Sequence, residues 1–256
     1  MRNLKLTIEY DGTSYCGWQI QNHLRRTKRS IQETIEKTLE KILQEKIRLF
    51  ASGRTDAGVH ALAQAANFKT NSSIATEKLQ RGLNGLLPED IAITNIEEVS
   101  QDFHSRFTAK SKLYRYIILN QPYPSALLKD RAYFCPYALN VKLMRQEARC
   151  LLGRHDFKSF SASGSSSKTT VRTVKNISIK VKRGSRYAVR HTLVMIDIEA
   201  DGFLYNRVRS IVGTMLEIGR GRFKEGCMKK ILRAKDRNLS GPTVPAKGLF
   251  LVKVNY

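Results

Sequence analysis

Two hydrophobic periods alternate along the first hundred residues, and their order constrains the fold more than any other feature of the chain. Leu4, Leu6, Ile8 and Tyr10 recur at every second position, the pattern of a half-buried strand. Ile31, Ile35, Leu39, Ile42, Leu43 and Ile47 then follow the helical period, and Ser30 with Glu33 reads as a capping box at the helix start. A short strand over 48–51 and a longer one over 62–69 come next. Thr76 caps a second helix bearing Leu79, Leu83 and Leu86, Pro88 stops it, and a strand over 91–99 closes the run. Strand, helix, strand, strand, helix, strand is the split βαβ, ferredoxin-like arrangement.

The second half repeats the theme more loosely. Residues 112–119 alternate Leu113, Arg115 and Ile117 with Tyr114, Tyr116 and Ile118, which predicts a strand. A helix is expected over 141–152, strands over 170–181 and 188–200, and a buried helix over 206–220 with Val208, Ile211, Val212, Met215 and Leu216 on its apolar side. A short helix over 228–232 and a strand over 249–254 end the chain, while the Ser- and Gly-rich stretch 161–170 reads as a mobile loop. The expected fold is α+β (α/β): two ferredoxin-like or RRM-like halves with mainly antiparallel sheets, residues 1–108 and 109–256, joined around a central active-site cleft. Junctions of this kind commonly hold ligands.

Charge narrows the partner. Lys and Arg number 45 against 22 acidic residues, a net +23, and the basic residues are dispersed through the folded pattern rather than gathered in a tail. Such self-repulsion contributes nothing to folding, so a polyanion, nucleic acid above all, is the expected partner. No apolar run approaches the ~20 residues that cross a bilayer. Residues 1–8 alternate like a strand rather than forming a signal-peptide core, so a cytoplasmic protein without a membrane partner is expected. Cys16, Cys135, Cys150 and Cys227 lie far apart and suggest neither a zinc site nor a disulfide framework.

The stretch Gly53-Arg54-Thr55-Asp56-Ala57-Gly58-Val59-His60-Ala61 sets one carboxylate among small residues beside an arginine. Glycines at both ends permit tight turns or close approach of another molecule. A single Asp there is compatible with a metal ligand, a general base or a nucleophile. Only His60 is near enough to share a metal, and it reads as a structural histidine; metal is not expected. Glycoside hydrolysis generally uses two carboxylates, and no second one is evident. A lone acid acting covalently needs a cation to hold it ionised, since a paired arginine lowers a carboxyl pKa by ~1–3 units while burial raises it.

Several motifs stand together in one order: Glu9-Tyr10-Asp11-Gly12-Thr13 with Gly17-Trp18-Gln19, the 53–61 loop, Leu83-Asn84 with Leu87-Pro88, and Phe103-His104-Ser105-Arg106-Phe107. Lys112-Leu113-Tyr114-Arg115-Tyr116, His155-Asp156-Phe157, Asp201-Gly202-Phe203-Leu204-Tyr205-Asn206 with Val208-Arg209, and Pro245 with Gly248-Leu249-Phe250-Leu251-Val252 follow. Through these the chain resembles the tRNA pseudouridine synthase A (TruA) family over nearly its whole length.

The resemblance implies an isomerase that converts uridine to pseudouridine in the anticodon stem-loop of tRNA, at uridines 38, 39 and 40, with neither metal nor cofactor. It implies that Asp56 is the nucleophile, that Tyr114 stacks on the target base and that Arg209 pairs with the aspartate. The chemistry of the three side chains agrees: an anion, a flat apolar face and a guanidinium. Arg54 matches an arginine that helps to flip the base, a role its plane suits, and a phosphate contact suits it equally. A homodimer is implied by resemblance alone. The dense basic segment Arg25-Arg26-Thr27-Lys28-Arg29 departs from the family pattern without touching these groups. The rival from another class is a non-catalytic RNA-binding protein or RNA chaperone on the same scaffold, which explains the charge but not the Asp56 loop.

Overall fold

Side-chain periodicity becomes a mixed α/β architecture of mainly antiparallel strands with five α-helices among the described residues. The computed structural model describes residues 1–20, 29–161, 169–184, 191–203 and 206–256. The basic residues 25–28, most of the Ser/Gly-rich stretch, the end of the basic run at 185–190, and Leu204 with Tyr205 lie outside them. The chain forms two compact units, Met1–Lys110 with Phe250–Tyr256, and Ser111–Leu249.

In the first unit β1 (Arg2–Tyr10), α1 (Ile31–Leu43), β2 (Phe50–Ala51), β3 (His60–Thr70), α2 (Thr76–Leu86) and β4 (Ile91–Val99) follow the expected order. β1 lies between β4 and β3, antiparallel to both, and β2 pairs antiparallel with β3, the ferredoxin-like 4-1-3-2 arrangement. Ser30 caps α1 by accepting a bond from the Glu33 amide, 3.1 Å. α2 differs from expectation: its N-cap is Ala75, without a side-chain bond, and Thr76 is its first helical residue. Leu4, Leu6, Ile8, Ile31, Ile35, Leu39, Phe68, Leu79 and Leu83 make the core, where the strand face of period two meets the two helix stripes.

The second unit holds β5 (Ser111–Asn120), β6 (Tyr133–Cys135), α3 (Val141–Ala148), β7 (Gly153–Asp156), β8 (Val171–Arg183), β9 (Thr192–Ala200), α4 (Arg207–Gly219) and α5 (Cys227–Ala234). β9 pairs antiparallel with β5 and β8, β7 pairs with β8, and β6 runs parallel to β5. The helix expected over 141–152 ends at Ala148 and tightens into a 3₁₀ turn at Arg149–Leu151. The closing strand β10 spans Leu249–Asn255, and its Phe250 and Leu251 run parallel to β3 at His60 and Ala61. β2 and β10 therefore share one edge of β3 at different heights.

Candidate active site

β2 delivers the chain into the loop that carries Asp56, and buried polar contacts hold that loop from beneath. The Ser52 amide donates to the Ala65 carbonyl at 2.8 Å, its hydroxyl donates to Gln64 Oε1 at 2.7 Å, and Gln64 Nε2 donates to the Gly53 carbonyl at 2.9 Å. The Trp18 amide donates to the Thr55 carbonyl at 3.0 Å, and the Tyr10 and Thr55 hydroxyls lie 2.7 Å apart. Burial pushes the Tyr10 phenol above its usual value, so it stays protonated in this contact. A β-turn then closes from the Val59 amide to the Asp56 carbonyl, 3.1 Å, with Gly58 at φ +76°, a conformation that glycine adopts without strain. Asp56 is half-buried on this fixed backbone.

Two glycines let the loop sit so close. Gly17 has φ +100°, and an added Cβ would lie 2.7 Å from the Thr55 carbonyl oxygen. At Gly12 an added Cβ would lie 2.0 Å from the Val59 carbonyl oxygen, so the backbone of one segment would have to move. Gly12→Ala is therefore expected to destabilise the protein by about 2 kcal/mol or more. Urea denaturation checks this, and an unchanged midpoint would show that the loop is not packed in this way.

His60 takes a structural place. It is 2% exposed, its ring stacks on Phe250 at 4.6 Å, and its Nδ1 lies 3.2 Å from the Gly12 amide and 3.1 Å from Asp11 Oδ1. A neutral ring accepts from Gly12, whereas a protonated one faces the Asp11 carboxylate. Among the described residues no group of three or more His, Cys, Asp or Glu side chains could hold a metal ion. Arg54 is exposed, and its Nε donates to Gln19 Oε1 at 3.0 Å.

Tyr114 and Arg209 belong to the second unit. Tyr114 stands opposite Ile198 on β9, is buried, and meets the Phe203 ring edge-on at 4.9 Å. Tyr116, on the same strand face, is a core residue whose hydroxyl donates to the Pro245 carbonyl at 2.7 Å. α4 begins after Asn206, which has φ +59° and makes no side-chain cap. Asn206 Oδ1 instead accepts from Arg209 Nη1 at 2.6 Å, while Arg209 Nε donates to the Val244 carbonyl at 2.7 Å. Two bonds from a planar guanidinium fix its orientation. Thus Asp56 and Arg54 are set within one unit, and Tyr114 and Arg209 within the other.

Arg207 has no place in the sequence reading. It is 2% exposed, its guanidinium lies 5.0 Å from the Phe157 ring, and Nη2 donates to the Thr170 carbonyl at 3.1 Å. Its Nε and Nη1 have no hydrogen-bond partner among the described residues. Burial, reinforced by nearby Arg172, pushes its pKa down to about 9. Position is the one sequence signal: Arg207 lies one helical turn before Ile211 on the buried side. A folded pKa below the unfolded value of a base means that the penalty is complete at neutral pH and shrinks as pH rises through about 9. Arg207→Met, which keeps length without charge, is expected to stabilise the fold by ~1–3 kcal/mol at neutral pH and by less at pH ~10. Denaturation at the two pH values measures it, and a destabilised variant at neutral pH would contradict it.

A family model described as tRNA pseudouridine synthase matches residues 6–108 and 148–256, and the chain belongs to that family of RNA-modifying isomerases. Its relatives are, more particularly, tRNA pseudouridine synthases A. The chain is 45% identical to that of Acetivibrio thermocellus and 43% identical to that of Thermoanaerobacter sp., covering 100% of both chains in each case. It is also 45% identical, over the full length of both chains, to tRNA pseudouridine synthase A 2 of Clostridium perfringens. Among solved structures, the archaeal box H/ACA sRNP Nop10-Cbf5 complex aligns at a TM-score of 0.33 and 10% identity, covering 95% of this chain and 58% of that one.

Proposed function

We propose that this chain isomerises uridine to pseudouridine in the anticodon stem-loop of tRNA, with Asp56 as nucleophile and no cofactor. Full-length identity of 45% to a relative named for this reaction is the observation that carries the reading. In the isomerisation the N1–C1′ glycosidic bond breaks, the uracil turns, and a C5–C1′ bond forms. The C5 proton leaves and N1 gains one, so no atom is added or lost. The target nucleotide leaves its stack before Asp56 reaches it. Tyr114 offers its ring face to the uracil, and Arg209 keeps the Asp56 carboxylate ionised by pairing with it. Arg54, exposed on the Asp56 loop, stacks in the gap left by the flipped base or contacts a phosphate.

The net charge of +23 supports recognition through phosphates and shape, which gives a steep salt dependence. No helix among the described residues is long and apolar enough to cross a membrane. The working form is a cytoplasmic homodimer, a reading that rests on resemblance. Incubating the protein with unmodified tRNA and mapping pseudouridine by mass spectrometry tests the function. Binding without any pseudouridine would favour the non-catalytic RNA-binding rival.

A further inference from the structure

Five side chains of the first unit form a row of rings ended by guanidinium groups. The Arg48 guanidinium lies 5.4 Å from the Phe50 ring, Phe50 lies 5.2 Å from His104, and His104 lies 4.3 Å from Phe107. The Arg106 guanidinium stands 5.7 Å from the other end, over Phe107. Phe107 is 76% exposed and Phe50 37%, and both arginines are exposed. A single exposed apolar side chain is ordinary, whereas a contiguous row of rings closed by cations is a recognition surface.

The turn that presents this row is built rigidly. Asn3 and Asn67, both buried, cross-link it: Asn3 Nδ2 donates to the Ser100 and Phe103 carbonyls at 2.8 and 3.0 Å. Asn67 Nδ2 donates to Asn3 Oδ1 at 3.0 Å, and Asn67 Oδ1 accepts from the Ser105 amide at 2.9 Å. The Tyr256 hydroxyl donates to the Ser105 carbonyl at 3.0 Å. The register of β2 sets Phe50 opposite Asn67, which brings that ring beside His104. Buried polar groups thus fix the backbone while Phe107 is turned outward, where it adds little to folding.

From this geometry we infer that the row is a stacking platform for an unpaired nucleobase of bound RNA, with Arg48 and Arg106 meeting the adjoining phosphates. Sequence-tolerant base stacking on aromatic rings with arginine beside them is how unpaired RNA is commonly held. Local charge decides among occupants of this face: Arg48 and Arg106 close both ends of the row, where they attract phosphates and would repel the same two cations of a second copy. The inference rests on the RNA-directed reading above and extends it. Seven strand positions separate His60, beside the Asp56 loop, from Asn67, beneath the platform. The platform lies nearer the start of that loop, since Phe50 stands six residues before Asp56 and Gly53 is bonded to Gln64, three strand positions from Asn67.

The test measures binding of an unmodified tRNA transcript by the full chain over a range of salt, with wild type, Phe107→Leu, Phe107→Tyr and Arg106→Ala. Phe107→Leu is expected to weaken binding about tenfold with an unchanged salt slope, and Phe107→Tyr to restore it. Arg106→Ala should lower the salt slope by about one. A Phe107→Leu protein that binds like wild type would overturn the platform, as would a Phe107 variant whose only change is a smaller mass in sedimentation. Wild type that forms pseudouridine beside such a neutral variant would leave the catalytic reading intact. Wild type that binds in a Phe107-dependent way yet forms no pseudouridine would sink the catalytic reading and leave the platform standing.

Discussion

Asp56→Asn is expected to form no measurable pseudouridine, a loss of more than about a thousandfold, while binding tRNA nearly as tightly as wild type. Asparagine keeps the size of the side chain and removes the anion. The loop itself is positioned by backbone and neighbours: the Gln64 bond to Gly53, the Trp18 bond to Thr55 and the Val59 bond to Asp56 involve no carboxylate. The substitution therefore changes chemistry and leaves geometry in place. If Asp56 is the nucleophile, its loss outweighs that of any one binding contact, because the bond it would form has no substitute among the remaining groups. Single-turnover formation of pseudouridine and equilibrium tRNA binding, measured together, decide the matter. Product at a normal rate would remove Asp56 from the reaction.

Arg209→Ala is expected to have the second largest effect and a distinct signature. If the guanidinium holds Asp56 ionised, removing it raises the carboxyl pKa by ~1–3 units. The reactive form is the anion, so the acid limb of the pH–rate profile moves to higher pH and activity recovers in part as pH rises. Arg209→Lys separates charge from orientation. Lysine keeps a cation but loses the planar fork that now donates to the Val244 carbonyl and Asn206 Oδ1. Its acid limb should stay near that of wild type while the maximal rate falls. An Arg209→Ala profile with an unmoved acid limb would dismiss the pairing role, whatever the loss in rate.

The order of elements was legible because period-two and period-3.6 patterns are local. β1, β3, β4, β5 and α4 lie close to where their apolar positions set them, whereas α1 stops at Leu43, four residues short of Ile47. β6, of three residues, and β7, of four, are too short to show a period and were not legible. Thr76 misleads as a cap because cap propensity is local, and the backbone there turns helical one residue earlier than the side chain suggests. Within the candidate site, the pattern singled out Asp56 by its small-residue loop. It could not show that Gly12 and Gly17, some forty residues earlier, lie against that loop, or that Tyr10 meets Thr55.

By itself the sequence determined the alternation of strands and helices, the cationic character and the family, since each is written in local spacing or in the residues themselves. Tertiary structure alone decided which backbone supports Asp56, which two acceptors orient Arg209, and that Arg207 lies buried while Phe107 faces water. Those outcomes depend on contacts between residues distant along the chain, and side-chain periodicity records only which face of an element is covered, never what covers it.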